Sequence, residues 1–183
     1  MFPVESPDYV SNEEFRSAEV EVYKALSEQL DNSWHVFYSS PWLGTTPTGH
    51  EIDGEADFIV AHKDKGYLCI EVKGGRVKID PDGKWTSVDR YGITRKIKDP
   101  VNQARTSKHQ ILEKLKSSKH WPGDFICIRH GVILNHVARL IKDPRPDMPL
   151  KLFAFDEDLG KLDSWIDSRF GDVEVNDGQV KPL

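Results

Sequence analysis

Residues 54–75 read GEADFIVAHKDKGYLCIEVKGG, and this stretch decides the fold. Two apolar runs, EADFIVA and YLCIEVK, lie around the polar segment HKDKG, which is typical of two strands joined by a tight connection. The first run nevertheless carries Asp57, and the second carries Glu71 and Lys73. Charges on such strands either face water at a sheet edge or surround a group that needs them.

The alternation of side chains along a strand relates these charges to one another. Successive residues point to opposite faces, so Phe58 lies on one face and Asp57 on the other. A connection with an odd number of residues, such as a three-residue turn ending at Gly66, makes the apolar faces of both strands coincide. In that register Asp57, Glu71 and Lys73 project together from the opposite face, whereas an even connection would separate them.

The three charged side chains have a chemical interpretation as a metal site. Two carboxylates at hydrogen-bonding distance repel each other unless a cation lies between them. Carboxylate oxygens, with a backbone carbonyl and waters, suit Mg²⁺ or Mn²⁺. Zinc is a poorer match, because none of the seven His falls at a ligand-like spacing on these strands. A lysine on the same face can hold a nucleophilic hydroxide or offset charge on a phosphate. A surface salt-bridge cluster is the alternative.

Outside this hairpin the sequence predicts a mixed sheet covered by helices. Residues 11–30 have the period of an amphipathic helix, with Ser11 or Asn12 as the N-cap. The pair Asp99-Pro100 starts a second helix, and residues 158–170 form a third. Further strands are predicted at residues 34–40, 76–80, 91–97, 124–135 and 151–156, with a mobile loop at 41–50.

The composition fits one domain over residues 1–183, with a core at about 11–170 and a polar tail or linker at 171–183. No apolar run reaches the ~18 residues of a membrane helix, and the N-terminus lacks signal-peptide features. Cys69 and Cys127 lie in apolar strand-like runs, which predicts two reduced core thiols. We therefore expect a cytoplasmic protein.

The formal net charge of −5 is distributed unevenly along the chain. Residues 1–60 carry a net −10, residues 61–120 a net +8 and residues 121–183 a net −3. An acidic segment with Asp57 beside a basic segment with Lys73 suits a metal site that faces a polyanion. Ordinary solvated charge can give the same division.

Four segments, taken in order, resemble the nuclease-related domain (NERD) family of the PD-(D/E)XK phosphodiesterase superfamily. They are SAEVEVYKAL with Glu19, GEAD with Asp57, IEVKGG with Glu71 and Lys73, and NQAR with Gln103. The resemblance covers roughly residues 15–135 and implies a restriction-endonuclease-like α/β core, a central mixed β-sheet flanked by helices. Asp53 is a rival to Asp57, which we prefer because it adjoins the apolar run FIVA.

The resemblance implies a nuclease that hydrolyses nucleic-acid phosphodiester bonds, in DNA rather than RNA, with Mg²⁺ or Mn²⁺. The expected metal ligands are Asp57, Glu71, the Val72 carbonyl and, as an outer or second-metal ligand, Glu19. Lys73 would lie beside the attacking water, and Gln103 would orient the water or the substrate phosphate.

The helix position of Glu19 can be checked independently of the family. It falls inside the apolar stripe of the first helix, where a carboxylate needs a partner such as a metal or Lys73. A glutamate at the margin of the stripe, reaching solvent, is the alternative. Gln103 lies off the stripe of its helix, so its role comes from the resemblance alone.

Basic residues follow the hairpin and are expected to contact the nucleic-acid backbone without reading its sequence. They are Arg76, Lys78, Arg95, Lys96, Lys98, Arg105 and Lys108. Lys108 also fits a lysine that snorkels from the apolar stripe of its helix. Trp42 either stacks on bases or belongs to the core.

A second hypothesis is a catalytically weak or inactive nucleic-acid-binding module that positions a fused or partner helicase, an arrangement the resemblance also implies. Salt-sensitive DNA binding that is indifferent to metal would favour it. A phosphate-handling enzyme of another kind is disfavoured, because the chain contains neither GxxxxGK[ST] nor GxGxxG.

Overall fold

The structure is a computed structural model that describes residues 17–46, 48–80, 82–89, 91–121, 123 and 125–171. The helices in this part of the chain are α1 (Ser17–Gln29), α2 (Pro100–Ser117) and α3 (Leu162–Phe170). The strands are β1 (Trp34–Thr45), β2 (Glu51–His62), β3 (Gly66–Val72), β4 (Arg76–Ile79), β5 (Trp85–Val88), β6 (Thr94–Lys96), β7 (Ile128–Leu134) and β8 (Phe153–Phe155). Short 3₁₀ helices, Leu150–Leu152 and Asp156–Lys161, precede β8 and α3.

The main sheet has five strands in the order β1-β2-β3-β7-β8, and β4, β5 and β6 form a small separate sheet. The pairs β1/β2 and β2/β3 are antiparallel, whereas β3/β7 and β7/β8 are parallel. Helices flank the main sheet on both faces. The predicted fold class is therefore confirmed, and the architecture is consistent with a PD-(D/E)XK core.

Helices on both faces bury every residue of β3. On one face Phe58 packs with Leu26 of α1 and Ile166 of α3. On the other face Cys69 packs near Ile111 of α2. A helix thus packs on the face that carries the hairpin charges, and Glu71 is buried there.

The β2–β3 hairpin has the predicted register. Phe58 pairs with Ile70, and His62 pairs with Gly66, which leaves three residues in the turn. Gly66 has a φ of 95°, a conformation that glycine adopts without steric cost. An odd connection therefore aligns the apolar faces of the two strands, as the hydrophobic pattern requires.

The loop predicted at residues 41–50 is wrong over its first half, because β1 extends to Thr45 and β2 begins at Glu51. Gly54 allows this extension, since a Cβ there would lie 2.3 Å from the ring of Trp42. The indole is 8% exposed and its Nε1 donates to the Ser107 hydroxyl at 3.0 Å. Trp42 is therefore a core residue whose hydrogen bond connects the β1–β2 hairpin to α2, and its ring is not exposed for stacking on bases.

Element boundaries differ from the predictions at several places. The strand predicted at 124–135 starts only at Ile128, and the last helix begins as a 3₁₀ turn. Asp99 caps α2 as predicted, its carboxylate accepting from the Asn102 amide at 3.0 Å. The proposed N-caps Ser11 and Asn12, and the predicted tail beyond Gly171, lie outside the described residues.

The two cysteines are free and buried, as predicted. Burial raises the pKa of the Cys69 thiol to about 12, so it is an unreactive core group. Among the described helices, none has the length and apolar character needed to cross a membrane.

We predict that Gly66→Ala destabilises the protein by about 3 kcal/mol or more in urea unfolding. The added Cβ would lie 1.9 Å from the backbone oxygen of Cys127, in a left-handed conformation. Gly49→Ala is the matched control, since Gly49 also has a positive φ, 84°, but has nothing within 4 Å of its Cβ position. The control should lose only about 1–2 kcal/mol. Equal losses in both variants would contradict the close approach to Cys127.

Candidate metal and nucleic-acid site

The hairpin charges meet at the carboxyl end of β3. Asp57 Oδ2 accepts a hydrogen bond from the Val72 backbone amide at 2.7 Å. Glu71 Oε1 accepts from Lys73 Nζ at 2.6 Å. Continuing the register from the Phe58–Ile70 pair places Asp57 opposite Glu71. The structure thus brings together the acid of β2 and the acid–lysine pair of β3.

Both carboxylates occupy an environment that disfavours their charge. Glu71 is 2% exposed, and its burial raises its pKa although the Lys73 ammonium opposes the shift. Burial, followed by repulsion from Glu71, raises the pKa of Asp57 to about 8, although the Val72 amide and Lys73 act in the other direction. One lysine therefore does not balance the two acids.

The end of β3 is held in place by the residues that follow it. The Lys73 amide donates to the Ile133 carbonyl of β7 at 2.9 Å. At Gly74 an added Cβ would lie 2.8 Å from the Cβ of Ala18 on α1. The glycine after the lysine thus lets the first turn of α1, including Glu19, approach the acids.

The backbone of β1 is strained where it passes the site. Ser39 has a φ of 52°, the one positive value found for a non-glycine residue in the described part of the chain. It falls between the pairs that join Tyr38 to Phe58 and Ser40 to Ala56, and so lies opposite Asp57. Strain of about 1–3 kcal/mol of this kind persists only where the surroundings impose it, and it is frequent at functional sites.

Glu19 faces the site from α1. The Tyr38 hydroxyl donates to its Oε2 at 2.7 Å, and the residue is only partly buried. Its negative charge raises the pKa values of both Asp57 and Glu71. Glu19 is therefore near enough to act electrostatically on Asp57 and Glu71, rather than reaching away into solvent.

Gln103 lies in the first turn of α2. It is one helical turn before Ser107, whose hydroxyl donates to the Glu55 carbonyl at 3.3 Å, two residues from Asp57. The Gln103 Oε1 atom is buried and accepts no hydrogen bond from any described residue. Such an atom is an acceptor available for a cation or for the proton of a water.

The oxygen-rich donor set fits a hard divalent cation. Across the described ranges, no three His, Cys, Asp or Glu side chains are grouped closely enough to hold a metal by themselves. Mg²⁺ usually takes one or two protein carboxylates and keeps several waters. Asp57 and Glu71, supplemented by the Val72 carbonyl, meet that requirement, and a cation there would relieve the repulsion between them.

A cleft of about 800 Å³ opens beside the acids. Its lining includes Glu19, Lys73, Arg76 and Arg95, so it brings two of the predicted backbone-contacting residues to the site. Tyr91, 69% exposed, belongs to the same lining. The cleft separates the end of β3 and the start of α1 from the small sheet.

The other predicted basic residues lie elsewhere. Lys78, Lys96 and Lys98 are exposed and do not line the cleft. On α2, Arg105 donates to the Asn102 side chain at 2.8 Å, and Lys108 Nζ lies 3.3 Å from His130 Nδ1. The structure therefore divides these residues between the cleft, the small sheet and α2.

Sequence reasoning missed a polar network behind the site. Asn135 is fully buried, and its Nδ2 donates to Glu21 Oε2 at 2.6 Å. Glu21 also pairs with His136 Nε2 at 3.3 Å, while His136 Nδ1 accepts from the Gly75 amide. The network ties α1 to the ends of β3 and β7. Its signal in the sequence was the polar pair Asn-His directly after the apolar run GVIL.

Comparison with known families bears directly on this site. The family described as Nuclease-related domain matches residues 16–135, a segment that contains Glu19, Asp57, Glu71, Lys73 and Gln103. The chain belongs to the nuclease-related domain family. Searches of curated proteins and of solved structures found no match. The NERD segment runs from α1 to the end of β7, whereas β8 and α3 complete the sheet and core outside it.

Replacing Asp57 by Asn should flatten the pH dependence of stability in metal-free buffer. The folded pKa of about 8 exceeds the ordinary value of 3.8, so the folded state binds this proton more tightly. The resulting stabilisation is complete at pH values below the ordinary pKa and is lost as the pH rises through about 8, at up to roughly 1.4 kcal/mol per pH unit. Urea unfolding across this interval measures it.

Asp53→Asn provides the control for this measurement, because Asp53 is an exposed aspartate on the same strand. It should keep the wild-type slope. Parallel pH profiles for the wild type and Asp57→Asn would show that Asp57 is ionised in the folded protein throughout.

Proposed function

We propose that this NERD domain is a metal-dependent nuclease that hydrolyses phosphodiester bonds of nucleic acid, with DNA as the substrate. The observation that carries the proposal is the pair of neighbouring carboxylates, Glu71 buried and Asp57 partly buried, with Lys73 bonded to Glu71. Two acids in this setting are costly to keep unless a cation and a charged substrate complete the site.

Asp57, Glu71 and the Val72 carbonyl would hold Mg²⁺ or Mn²⁺, with Glu19 as an outer or second ligand. Such an ion would lower the pKa of a bound water and would offset the negative charge of the phosphate. Lys73, with a side chain 24% exposed, would position the attacking water and offset the charge that grows on the phosphate. The buried Gln103 oxygen would orient that water or the substrate phosphate.

The cleft beside the acids supports a polyanionic substrate. Arg76 and Arg95 are exposed on its lining and can contact backbone phosphates without reading bases. The exposed lysines of the small sheet and Arg105 lie outside the cleft lining and would contact phosphates beyond it. We assign attack in line on the phosphorus with release of a 5′-phosphate, the outcome that the resemblance to PD-(D/E)XK enzymes implies.

The nuclease proposal is tested with labelled DNA in Mg²⁺ or Mn²⁺. Wild-type protein should cleave it, and Asp57→Asn or Lys73→Ala should lower the rate by about 10²-fold or more, because each removes a group that acts on the reacting atoms. An RNA of the same sequence, run in parallel, tests the preference for DNA.

Matched controls exist for both substitutions. Asp53→Asn tests the rival acid on the same strand, and Lys63→Ala changes an exposed lysine at the opposite end of the hairpin. Both should cleave at the wild-type rate. Equal cleavage by all five proteins, or by none, would end the nuclease proposal.

Metal binding has a readout that does not depend on cleavage. At pH 8, Mn²⁺ at ten times its dissociation constant should stabilise the wild type by about 1.4 kcal/mol in thermal unfolding. Asp57→Asn and Glu71→Gln should lose this stabilisation because each removes a ligand. Lys73→Ala should retain it while losing cleavage. Stabilisation that survives in Glu71→Gln would place the metal elsewhere.

The second candidate is a nucleic-acid-binding module that positions a fused or partner helicase. It is favoured by the absence, from the described part of the chain, of any three acidic, His or Cys side chains grouped to hold a metal. Salt-sensitive DNA binding in EDTA, without cleavage in either metal, would select this candidate. Loss of binding when the metal is removed would select the nuclease.

A further inference from the structure

A second group of charges lies at the edge of the main sheet. Strand β8 pairs only with Val132–Leu134, so the preceding residues of β7 have β3 on one side and no described strand on the other. Helix α2 approaches this edge from one face and α3 from the other. Four residues of these elements, the β7-edge cluster, contact one another there through side chains or backbone carbonyls: Lys108, Arg129, His130 and Arg169.

The contacts within the β7-edge cluster contain no acid. Arg169 Nη2 donates to the His130 carbonyl at 3.1 Å, and Arg129 Nε donates to the Arg169 carbonyl at 3.2 Å. Lys108 Nζ lies 3.3 Å from His130 Nδ1. Within the described residues, none of the three cations forms a salt bridge with a carboxylate, in contrast to Arg139, which pairs with two.

Arg169 is the least satisfied member of the cluster. It is 7% exposed, and its Nε is buried without a hydrogen-bond acceptor among the described residues. Burial and the nearby Arg129 lower the pKa of Arg169 to about 10. Burial, followed by Arg129, likewise lowers the pKa of Lys108. The negative end of the α3 dipole offsets only part of this cost, since a buried cation normally requires an anionic partner.

His130 adds a neutral donor to the cations. Burial and the surrounding positive charges lower its pKa to about 4, so the imidazole is uncharged at neutral pH. With Nδ1 turned toward Lys108 as an acceptor, the ring proton resides on Nε2. The cluster thus combines two guanidinium groups, an ammonium and an imidazole N–H, without an acceptor that balances their charge.

We propose that the β7-edge cluster binds a phosphate group. A tetrahedral dianion would accept from the unused guanidinium donors and from Lys108, and Arg and Lys together are the side chains that recognise phosphate. Lys108 and Arg129 are partly exposed and give access, whereas Arg169 supplies the buried charge. His130 pairs with Cys69 and Val132 pairs with Glu71, so the cluster lies two residues from the acids along the sheet. It is independent of phosphodiester cleavage.

Inorganic phosphate is the first probe, added to the full chain in EDTA at an ionic strength held constant with NaCl. Phosphate should raise the melting temperature of the wild type. Lys108→Gln and Arg129→Gln, which leave the buried Arg169 in place, should bind phosphate roughly tenfold more weakly, because each removes a charge-assisted hydrogen bond. Lys116→Gln is the control, since Lys116 pairs with Glu113 on the exposed face of the same helix.

Lys73→Gln is a second control, because Lys73 belongs to the candidate catalytic site. If phosphate raises the melting temperature of the wild type, Lys116→Gln and Lys73→Gln but not of the two cluster variants, the result supports the proposal and separates it from the catalytic site. No stabilisation beyond that by NaCl, or the same stabilisation in Lys108→Gln and Arg129→Gln, overturns it. Fluorescence anisotropy with a single-stranded DNA oligonucleotide then separates the two sources of phosphate. Weaker DNA binding by both variants assigns the site to the nucleic-acid backbone, and unchanged DNA binding assigns it to a small phosphorylated molecule.

Discussion

The placement of two neighbouring carboxylates, one buried and one partly buried, is the constraint on which the rest of this structure depends. Asp57 and Glu71 face each other on adjacent strands because the apolar side chains of β2 and β3 must share the opposite face. Helix α2 packs on this face beside Cys69, and Glu71 is buried there, so water screens the repulsion only in part. The Val72 amide and Lys73 stabilise part of this charge, and the remainder is available to a cation.

The surrounding elements are arranged so that this unfavourable pair is held in place. Gly74 allows α1 to approach the end of β3, and the Asn135–Glu21 hydrogen bond fixes the same helix to the end of β7. Ser39 adopts a strained backbone conformation opposite Asp57. Several independent contacts thus converge on one end of the hairpin, which is typical of a functional site rather than a purely structural one.

Charge is segregated between two regions of the fold. The acids lie at the carboxyl end of β3. The β7-edge cluster lies in the first half of β7, which has no described strand on its outer side. In both regions buried charge lacks full compensation inside the described protein, with opposite sign. A phosphate-bearing molecule bound together with a divalent cation would compensate the charge of both regions. This does not require the two regions to act together.

Much of the fold followed from local patterns in the sequence. The alternation in EADFIVA and YLCIEVK predicted the hairpin register, and Asp99-Pro100 predicted the start of α2, because side-chain alternation and helix capping are local properties. The error at residues 41–45 has an equally physical reason. Gly and Pro suggested a loop, yet Gly54 on the partner strand made room for Trp42, a contact between distant residues that composition does not reveal.

The sequence by itself determined that Asp57, Glu71 and Lys73 lie on one face, since strand alternation and the turn at Gly66 permit no other register that buries the apolar side chains. Only the tertiary structure decided that the glutamate on this face is buried, that Tyr38 bonds Glu19, and that Arg169 is buried without an acidic partner among the described residues. These properties depend on which helix covers which face. That choice is made by packing between segments far apart in the chain, which no local pattern records.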